Sequence, residues 1–177
     1  MSDLRAFLAQ LEENGLLTRI RRRVSSKHEI AALIKNTGGR IPLLFEQVDD
    51  YASPLVAGIG GTRETVALEL GIDPGRLTDA LADAIVNPIP VTRVESAPVQ
   101  ENIVTAPFAF DRYFPALTYS DRDTARFLIS GVMVAKDIAG ERTYTSIRRM
   151  QYLGENRFCL LVTSNEMKAQ IAAYERQ

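Results

Sequence analysis

Cysteine and histidine are almost missing from this chain: its 177 residues hold one of each, Cys159 and His28. A lone cysteine excludes an intramolecular disulfide. With a single histidine far from it in sequence, a Cys/His metal site of the usual spacing and a nucleophile–base pair are excluded as well. Cys159 sits in the apolar run Phe158-Cys159-Leu160-Leu161-Val162, with no neighbour to lower its pKa, which predicts a buried, inert thiol. His28 falls on a predicted first helical turn and is expected to be exposed. Long apolar runs are lacking too. No stretch of about 18 apolar residues occurs, so no membrane-spanning helix is expected. The opening Met1-Ser2-Asp3-Leu4-Arg5 does not have the basic-then-apolar order of a signal peptide, which points to a reducing cytoplasm. Nor is there an excess of charge of one sign. Lys and Arg number 21 against 22 Asp and Glu, a net charge of −1, so no large field attracts nucleic acid or an anionic membrane. The cluster Arg19, Arg21, Arg22 and Arg23 is the local exception and reads as a solvated strand edge and loop, with an anion or partner contact as the alternative.

What is present suffices for a folded core: 46% of residues are apolar and 24% charged, an ordinary globular mix. Leu4, Phe7, Leu8 and Leu11 recur at helical spacing up to Gly15. Leu16 to Val24 reads as a strand. Ser26-Lys27-His28-Glu29 has the form of a capping box opening a helix to about Asn36. Leu43-Leu44-Phe45 and Leu55-Val56-Ala57 read as short strands around a turn near residues 49–54. Gly58-Ile59-Gly60-Gly61 leads into a helix closed by Gly71. A glycine turn between strand and helix can cradle phosphate. Arg63 stands where the third glycine of a dinucleotide fingerprint belongs, so a tight structural turn is the better reading. Asp73-Pro74 caps a helix through about Ile85.

Pro88, Pro90 and Pro98 then make residues 87–98 extended, a boundary or crossover. Beyond it the pattern is strand-rich: Val99 to Thr105, Phe127 to Ala135 (a near-continuous apolar run that suits a buried strand), Arg142 to Tyr152, and Arg157 to Val162. Ser164 caps a last helix with Met167, Ile171 and Tyr174 on one face. The expected architecture is mixed α/β and α+β. A small N-terminal α/β domain spans residues 1–98. An incomplete antiparallel, split-barrel-like (flavin-reductase-like) cofactor domain with a C-terminal helix spans residues 99–177. So few strands with an apolar centre need more covering material than the chain holds, which suggests truncation.

The chemistry concentrates in Thr143-Tyr144-Thr145-Ser146-Ile147-Arg148-Arg149-Met150-Gln151 and the following Leu153-Gly154-Glu155-Asn156-Arg157. Two adjacent arginines in mid-strand are unusual, because a guanidinium seeks carboxylate or phosphate partners when partly buried. The plain alternative is a pair of exposed strand arginines. The Ser146-Ile147-x-Arg149 core is similar to the strand that enters the prenylated-flavin site of UbiD-family decarboxylases. The ordered segments Asp3-Leu4-Arg5-x-Phe7-Leu8, Leu43-Leu44-Phe45-Glu46, Gly61-Thr62-Arg63-Glu64 and Ile129-Ser130-Gly131-Val132 resemble the same family over essentially the whole chain.

That resemblance implies a non-oxidative carboxy-lyase acting on a small-molecule aromatic or α,β-unsaturated carboxylic acid, using prenylated FMN held with a divalent metal (Mn) and K⁺. It implies that Arg149 approaches flavin and substrate carboxylate, that Ile147 packs near the flavin, and that Thr145, Ser146 and Glu166 line the cofactor side. It also implies metal ligands at positions that here carry Tyr144 and Met167, neither suited to a hard cation. The expected metal-ligand set of this chain is therefore none, and the isolated chain is expected not to decarboxylate. The partner expected is a C-terminal chain or a second copy. Side chains alternate along a strand, so Tyr144 and Arg149 share a site only if a bulge lies between them. Two other readings stand beside the enzyme fragment: a non-catalytic interaction module, and an FMN-binding split-barrel protein.

Overall fold

The computed structural model describes residues 3–49 and 51–176; Met1, Ser2, Gln177 and Asp50, which falls in the expected 49–54 turn, lie outside them. Helix α1 (Leu4–Glu13) starts at Asp3, whose carboxylate accepts the Ala6 N–H at 2.8 Å. It ends as Gly15 takes a φ of +67° and Leu16 N–H returns to the Leu11 carbonyl, a C-terminal closure that glycine makes without strain. The helix buries Phe7 and Leu11. Strand β1 (Thr18–Val24) pairs parallel with β2 (Leu43–Val48), and β2 pairs antiparallel with β3 (Leu55–Ala57). Leu43, Leu44 and Phe45 are buried in sequence because β2 is central, with pairing on both edges and packing on both faces. Val24, Ile30, Leu43, Phe45, Val48 and Leu117 form the core.

Helix α2 (Glu29–Asn36) corrects the capping expectation. Its N-cap is His28, which has a φ of +69° and no side-chain cap. The Glu29 carboxylate instead accepts the Ser25 N–H at 2.7 Å, while the Ser26 N–H goes to Asp49 at 2.6 Å. His28 is half-buried rather than exposed, and its Nε2 is buried without a partner. The chain turns back here because the Lys27–Thr118 bridge pulls it towards a distant segment, a constraint invisible in local sequence. The arginine cluster is tied to acids: Arg19 binds Glu12 at 2.6 Å and Glu46 at 3.0 Å, and Arg22 binds Glu29.

Helix α3 (Arg63–Leu70) opens with Thr62, whose hydroxyl accepts the Thr65 N–H, and closes at Gly71 with φ +66°. The glycine turn before it is structural. A Cβ on Gly58 would lie 2.6 Å from the Ile41 carbonyl oxygen, and one on Gly61 would overlap the Gly39 carbonyl. Asp73 caps a short turn, Pro74–Arg76, that runs into α4 (Leu77–Val86).

Between residues 87 and 125 only two further short 3₁₀ turns, Pro98–Gln100 and Phe110–Arg112, interrupt extended chain. The strand expected at Val99 to Thr105 does not form. Pro98 starts a 3₁₀ turn, no neighbouring strand offers a ladder, and Val99 and Ile103 are exposed. Residues 116–119 then return to the first sheet and insert Leu117 into its core.

The second sheet is antiparallel: β4 (Arg126–Lys136), β5 (Thr143–Gly154) and β6 (Arg157–Leu160), in that order. The β4–β5 loop turns at Gly140, with φ +75°. The β5–β6 hairpin turns on Glu155 and Asn156, both at positive φ (51° and 60°), which matches the right-handed strand twist. The Asn156 side chain accepts the Phe110 N–H at 2.7 Å and donates to the Phe108 carbonyl. This seats Phe110 against Tyr152 and Phe158, with ring centroids 5.4 and 5.0 Å away. Helix α5 (Asn165–Tyr174), capped by Ser164, buries Met167; Ile171 and Tyr174 stay largely exposed.

Two burial expectations are corrected in this sheet. Phe127 to Ala135 is not buried throughout, since Ile129, Val132 and Val134 are 46%, 58% and 64% exposed. Cys159 is exposed as well. Both segments belong to a sheet with only one covered face, and period-two alternation sends every second apolar residue outward. Among the described residues the result is a mixed α/β arrangement built on two three-stranded sheets.

Candidate functional site

Strand β5 divides the expected site residues between its two faces. Tyr144, Ser146 and Arg148 lie on the half-buried face, while Thr145, Ile147 and Arg149 lie on the exposed one. The irregularity in pairing falls between Leu128 and Gly131 on β4, against Met150 and Arg148 on β5. The extra residue is therefore in β4, at Ile129-Ser130 opposite Arg149. β5 has no insertion between Tyr144 and Arg149, so alternation keeps those two side chains on opposite faces.

The half-buried face carries a polar cluster. Tyr144 donates its hydroxyl to Glu166 Oε1 at 2.9 Å, and the Arg142 guanidinium approaches the same oxygen at 3.7 Å. The hydrogen bond to Glu166 pushes the Tyr144 hydroxyl above its ordinary pKa, with burial adding to it. Arg148 Nε donates to Ser146 Oγ at 2.9 Å. Met167 stands one residue from Glu166 but turns into the interior, 8% exposed.

The exposed face carries the arginine of interest. Arg149 Nη2 donates to Asp123 Oδ1 at 2.8 Å, and its guanidinium carbon lies 3.9 Å from the centre of the Phe127 ring. The second Asp123 oxygen accepts the Tyr119 N–H at 3.0 Å and the Ser120 N–H at 3.1 Å. Burial pushes the Asp123 carboxyl upward, but these two N–H donors and Arg149 together hold it below its ordinary value. Tyr119 itself is pushed up to about 12 by burial. Arg149 borders an open cleft of about 560 Å³, lined also by Arg122, Thr124, Phe127, Gln151 and Cys159. Phe127 also lines an apolar cleft of about 580 Å³ reaching Tyr119, Leu117 and Leu55. On the same sheet face Ile147 is 73% exposed beside its cross-strand neighbour Val132. Sequence reasoning missed Asp123 and Phe127. The available signal was the Ser120-Asp121-Arg122-Asp123 turn cluster just before an apolar strand.

Comparison with known proteins accounts for nearly all of the chain. Residues 8–85 match the family described as the 3-octaprenyl-4-hydroxybenzoate carboxy-lyase N-terminal domain. Residues 91–177 match the Rift-related domain of the same carboxy-lyase. The chain belongs to the UbiD family. Among solved structures, it is similar to the UbiD-class enzyme HmfF from Pelotomaculum thermopropionicum in complex with prFMN. The identity is 33% and the TM-score 0.90, over 98% of this chain and 41% of that one. The 3,4-dihydroxybenzoic acid decarboxylase of Klebsiella pneumoniae (22% identity, TM-score 0.87, 99% and 40% coverage) shares the fold. So does the vanillic acid decarboxylase of Sedimentibacter hydroxybenzoicus (23%, 0.84, 99% and 40%). The chain thus spans about two fifths of the length of these UbiD relatives. No helix among the described residues is long and apolar enough to cross a membrane.

The residues present fit a flavin better than they fit its cations. The face bearing Thr145, Ile147 and Arg149 is exposed and partly apolar, with the Arg149 cation anchored by Asp123. By contrast, no group of three or more His, Cys, Asp or Glu among the described residues could hold a metal ion. Tyr144 is engaged with Glu166, and Met167 is buried in the interior. A monovalent cation beside Ser146 would lie next to the Arg148 guanidinium, whose like charge repels it.

Proposed function

We propose that this chain forms the cofactor-facing front part of a UbiD-type decarboxylase for aromatic or α,β-unsaturated carboxylic acids, in which Arg149 takes the substrate carboxylate. The observation that carries this reading is the pose of Arg149. It stands on the exposed sheet face at the mouth of a cleft, anchored on one side by Asp123 and below by an aromatic ring. A guanidinium fixed in that way orients a carboxylate bidentately and never loses its charge. In this reading Thr145 and Ile147 face the flavin beside Arg149, while Ser146 and Glu166, expected to line the same cofactor, stand on the opposite face of β5. When bound, the flavin would supply the acceptor for the electron pair left when CO₂ departs. Division into units at residues 1–98 and 99–177 is part of the same proposal.

The isolated chain is proposed to be inactive, and a complementing chain to be required. The exposed apolar residues Val132, Val134, Ile147 and Leu161 favour a sheet that another segment covers. The test is to incubate the chain with prenylated FMN, Mn²⁺ and a panel of cinnamic and benzoic acids, and to measure CO₂. No release is expected from the chain alone. Release should begin when a chain carrying the remaining three fifths of a relative's sequence is added. CO₂ from the chain alone would overturn the inactivity claim. Full activity of the complemented enzyme with Arg149→Lys would overturn the role of Arg149.

A further inference from the structure

We propose that Asp123 is the positioning residue for Arg149, setting the guanidinium plane so that its remaining N–H donors face the cleft. The inference rests on the reading of Arg149 as a carboxylate contact and adds a residue to it. Three observations converge. Asp123 is itself rigidly held: one oxygen accepts both Tyr119 and Ser120 N–H, leaving the other for Arg149 Nη2. Its side chain is 14% exposed, whereas that of Arg149 is 53% exposed, so the acid is the fixed partner and the arginine the presented one. Phe127 supplies a wall 3.9 Å from the guanidinium carbon. One hydrogen bond in the plane and one ring against its face leave the guanidinium little freedom to rotate. A carboxylate entering the cleft finds unused donors already oriented.

The sign of one measurement separates positioning from simple electrostatics. Asp123 places a negative charge beside the site, so on Coulombic grounds its removal should tighten carboxylate binding. If Asp123 positions Arg149, its removal should loosen that binding. The experiment follows the Arg149 Nε–H signal by NMR in the intact 177-residue chain during titration with benzoate. In the wild type a distinct Arg149 signal should move on titration. In Asp123→Asn, which keeps an acceptor for Tyr119 and Ser120, the unliganded signal should collapse towards that of free arginine. Benzoate should then bind about threefold to tenfold more weakly, the worth of one ordinary hydrogen bond. Asp123→Glu should recover most of the signal. An unchanged Arg149 signal in Asp123→Asn, or equal or tighter benzoate binding, overturns the proposal.

A second measurement does not depend on that variant folding. In Arg149→Gln the Asp123 carboxyl should titrate at higher pH than in the wild type, and an unchanged titration overturns the pairing. If benzoate moves no Arg149 signal in the wild type, the carboxylate role of Arg149 fails. The positioning claim is then judged on the unliganded signal alone.

Discussion

The turn at Gly58 to Gly61 permits a quantitative test of whether those glycines serve packing or an anion. A Cβ added at Gly61 would overlap the Gly39 carbonyl oxygen and lie 3.0 Å from both the Gly39 carbonyl carbon and the Arg40 Cα. All three are main-chain atoms, so no rotamer change relieves the clash. Either the 39–40 segment or the turn must move by the better part of an ångström. Overpacking of this kind costs about 3 kcal/mol or more when the obstacle cannot yield. Gly131 is the internal control. A Cβ there would meet the terminal methyl of Met150, the end of a flexible side chain that can swing away, so Gly131→Ala should cost about 1 kcal/mol or less. Urea unfolding at constant slope reads both values. A Gly61→Ala variant within about 0.5 kcal/mol of wild type would refute the packing argument and reopen the phosphate-cradle reading of the turn.

Phe45, fully buried in the first core, should cost about 3–5 kcal/mol on truncation to alanine, read by the same unfolding experiment. Asn156→Ala removes two side-chain hydrogen bonds to the 108–110 segment and a residue that tolerates φ +60°. It should destabilise the chain by about 1–2 kcal/mol and reduce the near-ultraviolet circular dichroism of the Phe110–Tyr152–Phe158 group. Stability should be level above about pH 5 and fall below it. Glu29 is held below its ordinary value by the Ser25 N–H and then Arg22; Asp49 is lowered against its burial by the Ser26 hydroxyl and N–H; and Asp123 is lowered in the same way by its N–H donors and Arg149. Depressed folded-state values mean stability that is full above the unfolded-state values, 4.5 for Glu and 3.8 for Asp. It is lost as pH falls through the folded ones. Thermal melts from pH 7 to pH 3 check this, and a midpoint that does not fall below pH 5 would contradict it.

Local sequence determined a good deal. Asp3, Thr62, Asp73 and Ser164 cap where their hydroxyl or carboxylate chemistry says they should, and Gly15, Gly71 and Gly140 sit where positive φ is needed. These features follow from interactions within a few residues. The ordered motifs around Ser146-Ile147-x-Arg149 likewise sufficed to place the chain in the UbiD family, a placement the comparisons bear out. Tertiary structure decided what depended on remote partners. His28 takes its unusual backbone because Thr118, ninety residues on, bridges to Lys27. Phe127 to Ala135 and Cys159 read as buried because apolar runs usually are, yet a sheet covered on one face exposes every second residue. The strand with Tyr144 and Arg149 shows the limit most clearly. Sequence put both in one motif, and the pairing register, with its extra residue in β4 rather than β5, sent them to opposite faces. Register belongs to two strands at once. That is also why Asp123 could not be found from β5 alone: twenty-six residues upstream, it meets Arg149 only once β4 has folded back against β5.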